Sequence, residues 1–138
     1  MYATEQDIID RYGEEALVLA ADRDGDGQAD AGVVDRALAD ATAEVDTYLA
    51  ARYALPLAST PAVLTRLTVD IAVYRLSPAA DAGTDERRQR YEDATALLSR
   101  IARGGVSLGL PVPPASSNGI ATVTGPERRY GRGRGRVF

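Results

Sequence analysis

Cysteine, histidine and lysine are all absent from this chain. Without cysteine there is neither a disulfide framework nor a thiolate-ligated zinc site. Without histidine the commonest general base and the commonest transition-metal ligand are both missing. Covalent catalysis through a lysine amine is likewise excluded, and no serine stands beside a visible base. Paired carboxylates would remain as catalytic groups, but no pattern places two of them in an apolar cleft. The expectation is a protein that is not an enzyme and has no cofactor beyond, at most, a structural calcium ion. The chain also lacks an apolar run of 18 residues and a basic flank followed by an apolar stretch at its start. Neither a membrane span nor a signal peptide is expected, so the protein should stay where it is made.

What is present is enough for one domain: 138 residues, 45% of them hydrophobic. Small domains bury a smaller share of their surface, so self-association would add useful burial. The net charge of −4 hides an uneven split. Residues 1–103 carry 11 Arg against 19 Asp and Glu, a balance of −8, whereas residues 104–138 carry five Arg and one Glu, a balance of +4. Any attraction to nucleic-acid phosphate must therefore come from the C-terminal part.

Apolar residues recur at spacings of three and four over most of residues 1–105, predicting an all-α body, a small bundle of about four helices. Thr4 and Asp7 form a capping arrangement ahead of Ile8, Ile9 and Tyr12, and Gly13 separates a second short helical piece, Glu14 to Ala21. Val34, Leu38, Ala41, Val45, Tyr48 and Leu49 mark one face of a long helix. That helix is expected from Ala31 to Ala54, with Asp30 as its cap and Pro56 ending it. Thr60-Pro61 opens the next helix, with proline in the first helical position. Val63, Leu64, Leu67, Val69, Ile71, Val73, Tyr74 and Leu76 make it apolar around much of its circumference, so it should be central or face a neighbouring subunit. Asp70 inside that run is expected to pair with Arg66 one turn earlier. After a loop from Ser77-Pro78 to Gly83, Thr84 caps a last helix whose Tyr91, Ala94, Leu98 and Ile101 face inward, and Gly104-Gly105 stops it. Arg88 and Arg90 lie one turn from Glu92 and Glu86, which predicts a salt-paired solvated face.

Asp22-Arg23-Asp24-Gly25-Asp26-Gly27 matches the first half of an EF-hand loop, with oxygen donors at positions one, three and five and glycine at six. Asp30 falls at position nine. Position twelve is Val33, where a bidentate Glu would be needed, so calcium at Asp22, Asp24, Asp26 and Asp30 would have to complete its shell elsewhere. The competing reading is a turn in which carboxylates bond nearby amides.

From Val106 onward the helical periodicity stops, and proline and glycine become too dense for a packed element. Residues 106–138 read as an extended C-terminal arm. Ile120 to Thr124 alternates like a short strand. If residues 130–138 are extended, Tyr130, Arg132, Arg134, Arg136 and Phe138 share one face, and Val137 lies with the glycines on the other. Such a segment has little to pack against in its own domain, which points to a partner. One candidate is nucleic acid, because arginine beside an aromatic residue can pair with phosphate and stack on bases.

Several segments carry a family resemblance: YATEQDIIDRYG at 2–13, the acidic DRDGDGQAD turn at 22–30, and AEVDTYLAARYALPL from Ala43 to Leu57 followed by Thr60-Pro61. IARGGVSLGLP at 101–111 and the terminal Arg136-Val137-Phe138 continue it. In this order and spacing the chain resembles the Mu-like phage head-to-tail connector family, small helical adaptors of the virion neck. The resemblance implies a ring of about twelve copies, matching portal symmetry. That ring would assemble in the host cytoplasm, dock on the portal protein, pass packaged DNA and meet a tail-side neck or tail-completion protein. It further implies that the C-terminal arm, through Tyr130, Arg132, Arg134, Arg136, Val137 and Phe138, enters the portal ring or contacts an adjacent adaptor.

Overall fold

The computed structural model describes residues 1–77 and 84–115. The loop expected at 78–83, the strand-like Ile120 to Thr124 and the arm residues Tyr130 to Phe138 lie outside the described residues. Five helices form the body: α1 (Glu5–Tyr12), α2 (Glu14–Ala21), α3 (Ala31–Leu49), α4 (Ala62–Leu76) and α5 (Asp85–Ala102). There is no strand among the described residues. The all-α expectation holds, with the short N-terminal pieces α1 and α2 standing as separate helices.

Helix α4 is the centre, packed against each of the other four helices. Leu64, Leu67, Val69, Ile71, Ala72, Val73 and Leu76 are all buried, because no one stripe of this helix is left for water. From α3 come Val34, Leu38, Ala41, Val45 and Leu49, the inward face that the spacing predicts. Ala94, Leu98 and Ile101 of α5 close the other side, and Tyr91 stacks on Tyr74 with ring centroids 4.3 Å apart. Ile8 of α1 and Leu17, Ala20 and Ala21 of α2 cover one end.

The cap on α1 is a capping box with aspartate in the glutamate role. The Asp7 amide donates to the Thr4 hydroxyl, and the Thr4 amide donates to the Asp7 carboxylate at 2.7 Å. Four other helix ends differ from expectation. Helix α3 stops at Leu49 rather than Ala54, since the Arg52 and Tyr53 amides both turn back to the Leu49 carbonyl. That tight turn brings Tyr53 into the core, where it is 4% exposed. Asp30 stands at the cap position of α3, but its carboxylate accepts from the Arg23 amide at 2.9 Å instead of capping the helix. Pro61 occupies the cap position of α4 and Thr84 that of α5, neither helix receiving a side-chain cap bond.

The salt-paired face of α5 is present. Arg90 pairs with Glu86, and Arg88 lies 3.3 Å from Asp85 and 3.9 Å from Glu92. At the end of α5, Gly104 has φ +82, and a Cβ there would sit 2.7 Å from Nη1 of Arg52. Beyond it Val106, Leu108 and Leu110 pack against the core at alternate positions, and the Leu108 amide donates to the Tyr53 hydroxyl at 3.1 Å. The arm therefore starts against the turn that follows α3.

Candidate functional site

The acidic turn joins α2 to α3 and is built by its own side chains. Asp22 accepts from the Gly25 amide at 2.6 Å and from the Gly27 amide at 3.0 Å. Asp24 accepts from the Asp26 amide, and Asp26 accepts from the Gln28 amide at 2.8 Å. Gly25 and Gly27 both have positive φ, which lets the chain fold back on these carboxylates. The Gly27 and Gly25 amides hold the Asp22 carboxyl below its ordinary pKa. For Asp24 the Asp26 amide pulls the other way, but partial desolvation and the carboxylates of Asp26, Asp30 and Asp22 leave its pKa raised.

The spacing is right that these residues converge: one carboxylate oxygen from each of Asp22, Asp24 and Asp26 lies within 4.8 Å of the others. Asp30 does not join that group, its carboxylate being held by the Arg23 amide. Calcium takes roughly six to eight oxygens. Three carboxylates are half of that, and Val33 stands where the closing bidentate ligand would be needed, on the first turn of α3. The set matches a self-bonded turn better than a calcium loop.

A second polar constellation lies inside the body, and sequence spacing misassigns it. Asp70 is 5% exposed. Its partner is Arg11 of α1 rather than Arg66: Nε and Nη2 of Arg11 donate to its two oxygens at 2.7 and 3.0 Å. The Tyr12 hydroxyl donates to the same carboxylate at 2.8 Å, and the Arg90 guanidinium lies over the Tyr12 ring, 5.1 Å from its centroid. The Asp70 bond holds the Arg11 pKa up, while burial is the main cause that raises Tyr12. Two further ties went unread in the sequence. The Tyr2 hydroxyl donates to Asp46, and Glu44 accepts from Arg75 and from the Tyr91 hydroxyl, linking α3 to α4 and α5. An aspartate within an apolar run signals a buried partner, but only the packing of α1 on α4 says which arginine supplies it. These groups bind helices to one another.

The family described as Bacteriophage Mu, Gp36 matches residues 2–124, a stretch that includes all five helices, the acidic turn and the start of the arm. The chain belongs to the Bacteriophage Mu Gp36 family. Among its relatives in that family, the Mu-like prophage FluMu protein gp36 of Haemophilus influenzae is 40% identical over 110 residues, covering 80% of this chain and 77% of the relative. Gene product J of Escherichia phage Mu is 35% identical over 117 residues, covering 84% and 82%. The Gp36 match supports the part of the resemblance that assigns the chain to Mu-like phages, and it points to a phage structural or morphogenesis protein. It ends before residues 125–138, so the arginine-rich segment lies beyond the family stretch. No helix of this Gp36-family body is long and apolar enough to cross a membrane, among the described residues.

Proposed function

We propose that this chain is a head-to-tail connector, an adaptor of the virion neck that forms a ring beneath the portal of a tailed phage and joins the capsid to the tail. The observation that carries the reading is membership of the phage Mu Gp36 family by a body whose Asp70 and Glu44 carboxylates tie helices together. Ties of this kind suit a structural part. The resemblance adds the ring of about twelve copies, the portal and tail-side partners and the passage of packaged DNA. The sequence beyond Leu108, whose amide donates to the Tyr53 hydroxyl, carries the positive charge that the body lacks.

Co-expression with the portal protein of the same phage, followed by native mass spectrometry and reconstruction of the complex, tests this. A ring of the chain bound to the portal is the expected result. A chain that stays monomeric beside an intact portal and binds DNA in proportion to its arginine-rich segment would replace the connector with a nucleic-acid-binding protein.

A further inference from the structure

The body is acidic as a whole, yet three arginines meet in one hollow of about 400 Å³ between the start of α3 and the end of α4. Arg23 comes from the acidic turn, Arg36 from α3 and Arg75 from α4. The turn fixes the first of them: Asp30 accepts from the Arg23 amide at 2.9 Å, while Asp22 and Asp24 are occupied with the amides of Gly25, Gly27 and Asp26. Arg36 stands one turn beyond Val33, on the face of α3 that also carries Ala37 and Asp40. Arg75 is tied to Glu44, its Nη2 donating at 2.5 Å. Neither Arg23 nor Arg36 forms an ion pair among the described residues. The floor beneath them is aliphatic, with Leu76 2% and Ala37 7% exposed and Val33 half-buried beside them.

Guanidinium groups over an aliphatic floor suit a carboxylate on a hydrocarbon stem, since the planar fork donates to both oxygens and the floor covers the methylenes. Three arginines set against Asp40 and Glu44 leave one positive charge, which a single carboxylate neutralises. We propose that this hollow binds a glutamate or aspartate side chain of a protein partner, with Arg23 and Arg36 gripping the carboxylate and Val33, Ala37 and Leu76 receiving the apolar residues beside it. Asp40 on the wall then accepts a backbone N–H of the same segment.

A nucleic-acid strand fits this place less well. None of the lining residues is aromatic, so its bases would have no ring to stack on. Its further phosphates would meet a body whose residues 1–103 carry a net charge of −8. A short segment with one carboxylate escapes that repulsion. Neither ring nor portal enters the contact, so it stands or falls apart from the connector reading.

Arginine Nε–H signals in NMR spectra of the isotope-labelled full-length chain test the site directly. Titration with the capped tripeptide acetyl-Leu-Glu-Leu-amide should move the Arg23 and Arg36 signals to saturation, and its glutamine analogue should bind about tenfold more weakly for want of the charge-assisted pair. Raising the salt from about 0.05 to about 1 M should weaken the glutamate peptide at least threefold. Arg23 and Arg36 are both exposed, so changing them leaves the core intact. The double variant Arg23→Gln, Arg36→Gln should lose the response in the backbone amides of α3, whereas Arg66→Gln, in a different hollow, should keep it. Equal affinity for the glutamine peptide, or no saturable shift at Arg23 and Arg36, would overturn the proposal. So would tighter binding of inorganic phosphate or of oligothymidylate at these two arginines, which would make the hollow a phosphate site.

Discussion

Arg11 and Tyr12 share one buried acceptor, and removing it leaves both without a partner. Asp70→Ala should destabilise the body by about 3 kcal/mol, the lower part of the range for breaking a buried pair, because the Arg11 side chain stays 32% exposed and water can reach it. Asp70→Asn keeps the volume but not the charge and should fall between the variant and the parent. Arg66→Ala should leave the urea midpoint where it is, which separates the observed pairing from the one that helical spacing suggests. Tyrosines bonded to carboxylates set the alkaline limit. Tyr2, Tyr12 and Tyr91 all have pKa values raised above the ordinary 10.0, chiefly by burial and then by bonds to carboxylates. Their neutral forms are favoured in the folded state, so the unfolded chain releases these protons first. Stability is therefore complete below pH about 10 and falls as pH rises beyond it. Phenolate absorbance should show these three ionising late, and Tyr2→Phe should flatten part of the loss. A titration in which every tyrosine ionises near 10 would refute that burial.

At the scale of the element, α4 carries the largest share of the core, and its substitutions should show it. Leu67→Ala and Ile71→Ala each remove a side chain that is at most 2% exposed and should cost roughly 2–5 kcal/mol. An unchanged melting temperature in either would contradict the central placement of the helix. The spacing of three and four made the inward faces of α3 and α5 readable, and the apolar character of α4 around much of its circumference made it readable as the central helix. Boundaries were less legible: α3 yields at Leu49 because Tyr53 must enter the core, a demand that no local residue announces. Pairing across helices was illegible for the same reason, the Arg11 and Asp70 contact joining residues 59 positions apart. The acidic turn was legible in part. Convergence of Asp22, Asp24 and Asp26 follows from their alternation with glycine, whereas the fate of Asp30 depends on where the Arg23 amide points. Because the turn's carboxylates already accept backbone amides and the twelfth-position ligand is Val33, melting curves in millimolar calcium and in chelator should coincide. A rise with calcium, reversed by chelator, would make the turn a cation site through mass action.

For the whole molecule the decisive asymmetry is charge: a body of −8 and a C-terminal part of +4. An acidic body repels packaged DNA, which suits a ring that lets DNA pass without holding it. The arginines are then available to proteins, and bidentate pairing with carboxylates would fix the arm's register on a partner. Replacing Arg132, Arg134 and Arg136 with Gln keeps side-chain length and hydrogen-bonding capacity but removes the charge. That triple variant should bind the portal at least tenfold more weakly near 0.05 M salt, with a smaller difference at high salt, where screening already weakens the parent. Its circular dichroism should match the parent, since the three arginines lie outside the five helices. The same three changes also distinguish the competing use of the segment. An arm that served nucleic acid would lose DNA binding in the variant, with a reduced salt slope, while docking on the portal stayed intact. Full portal docking by the triple variant, or by a chain truncated after Gly125, would therefore take the arm out of the connector and assign it to DNA.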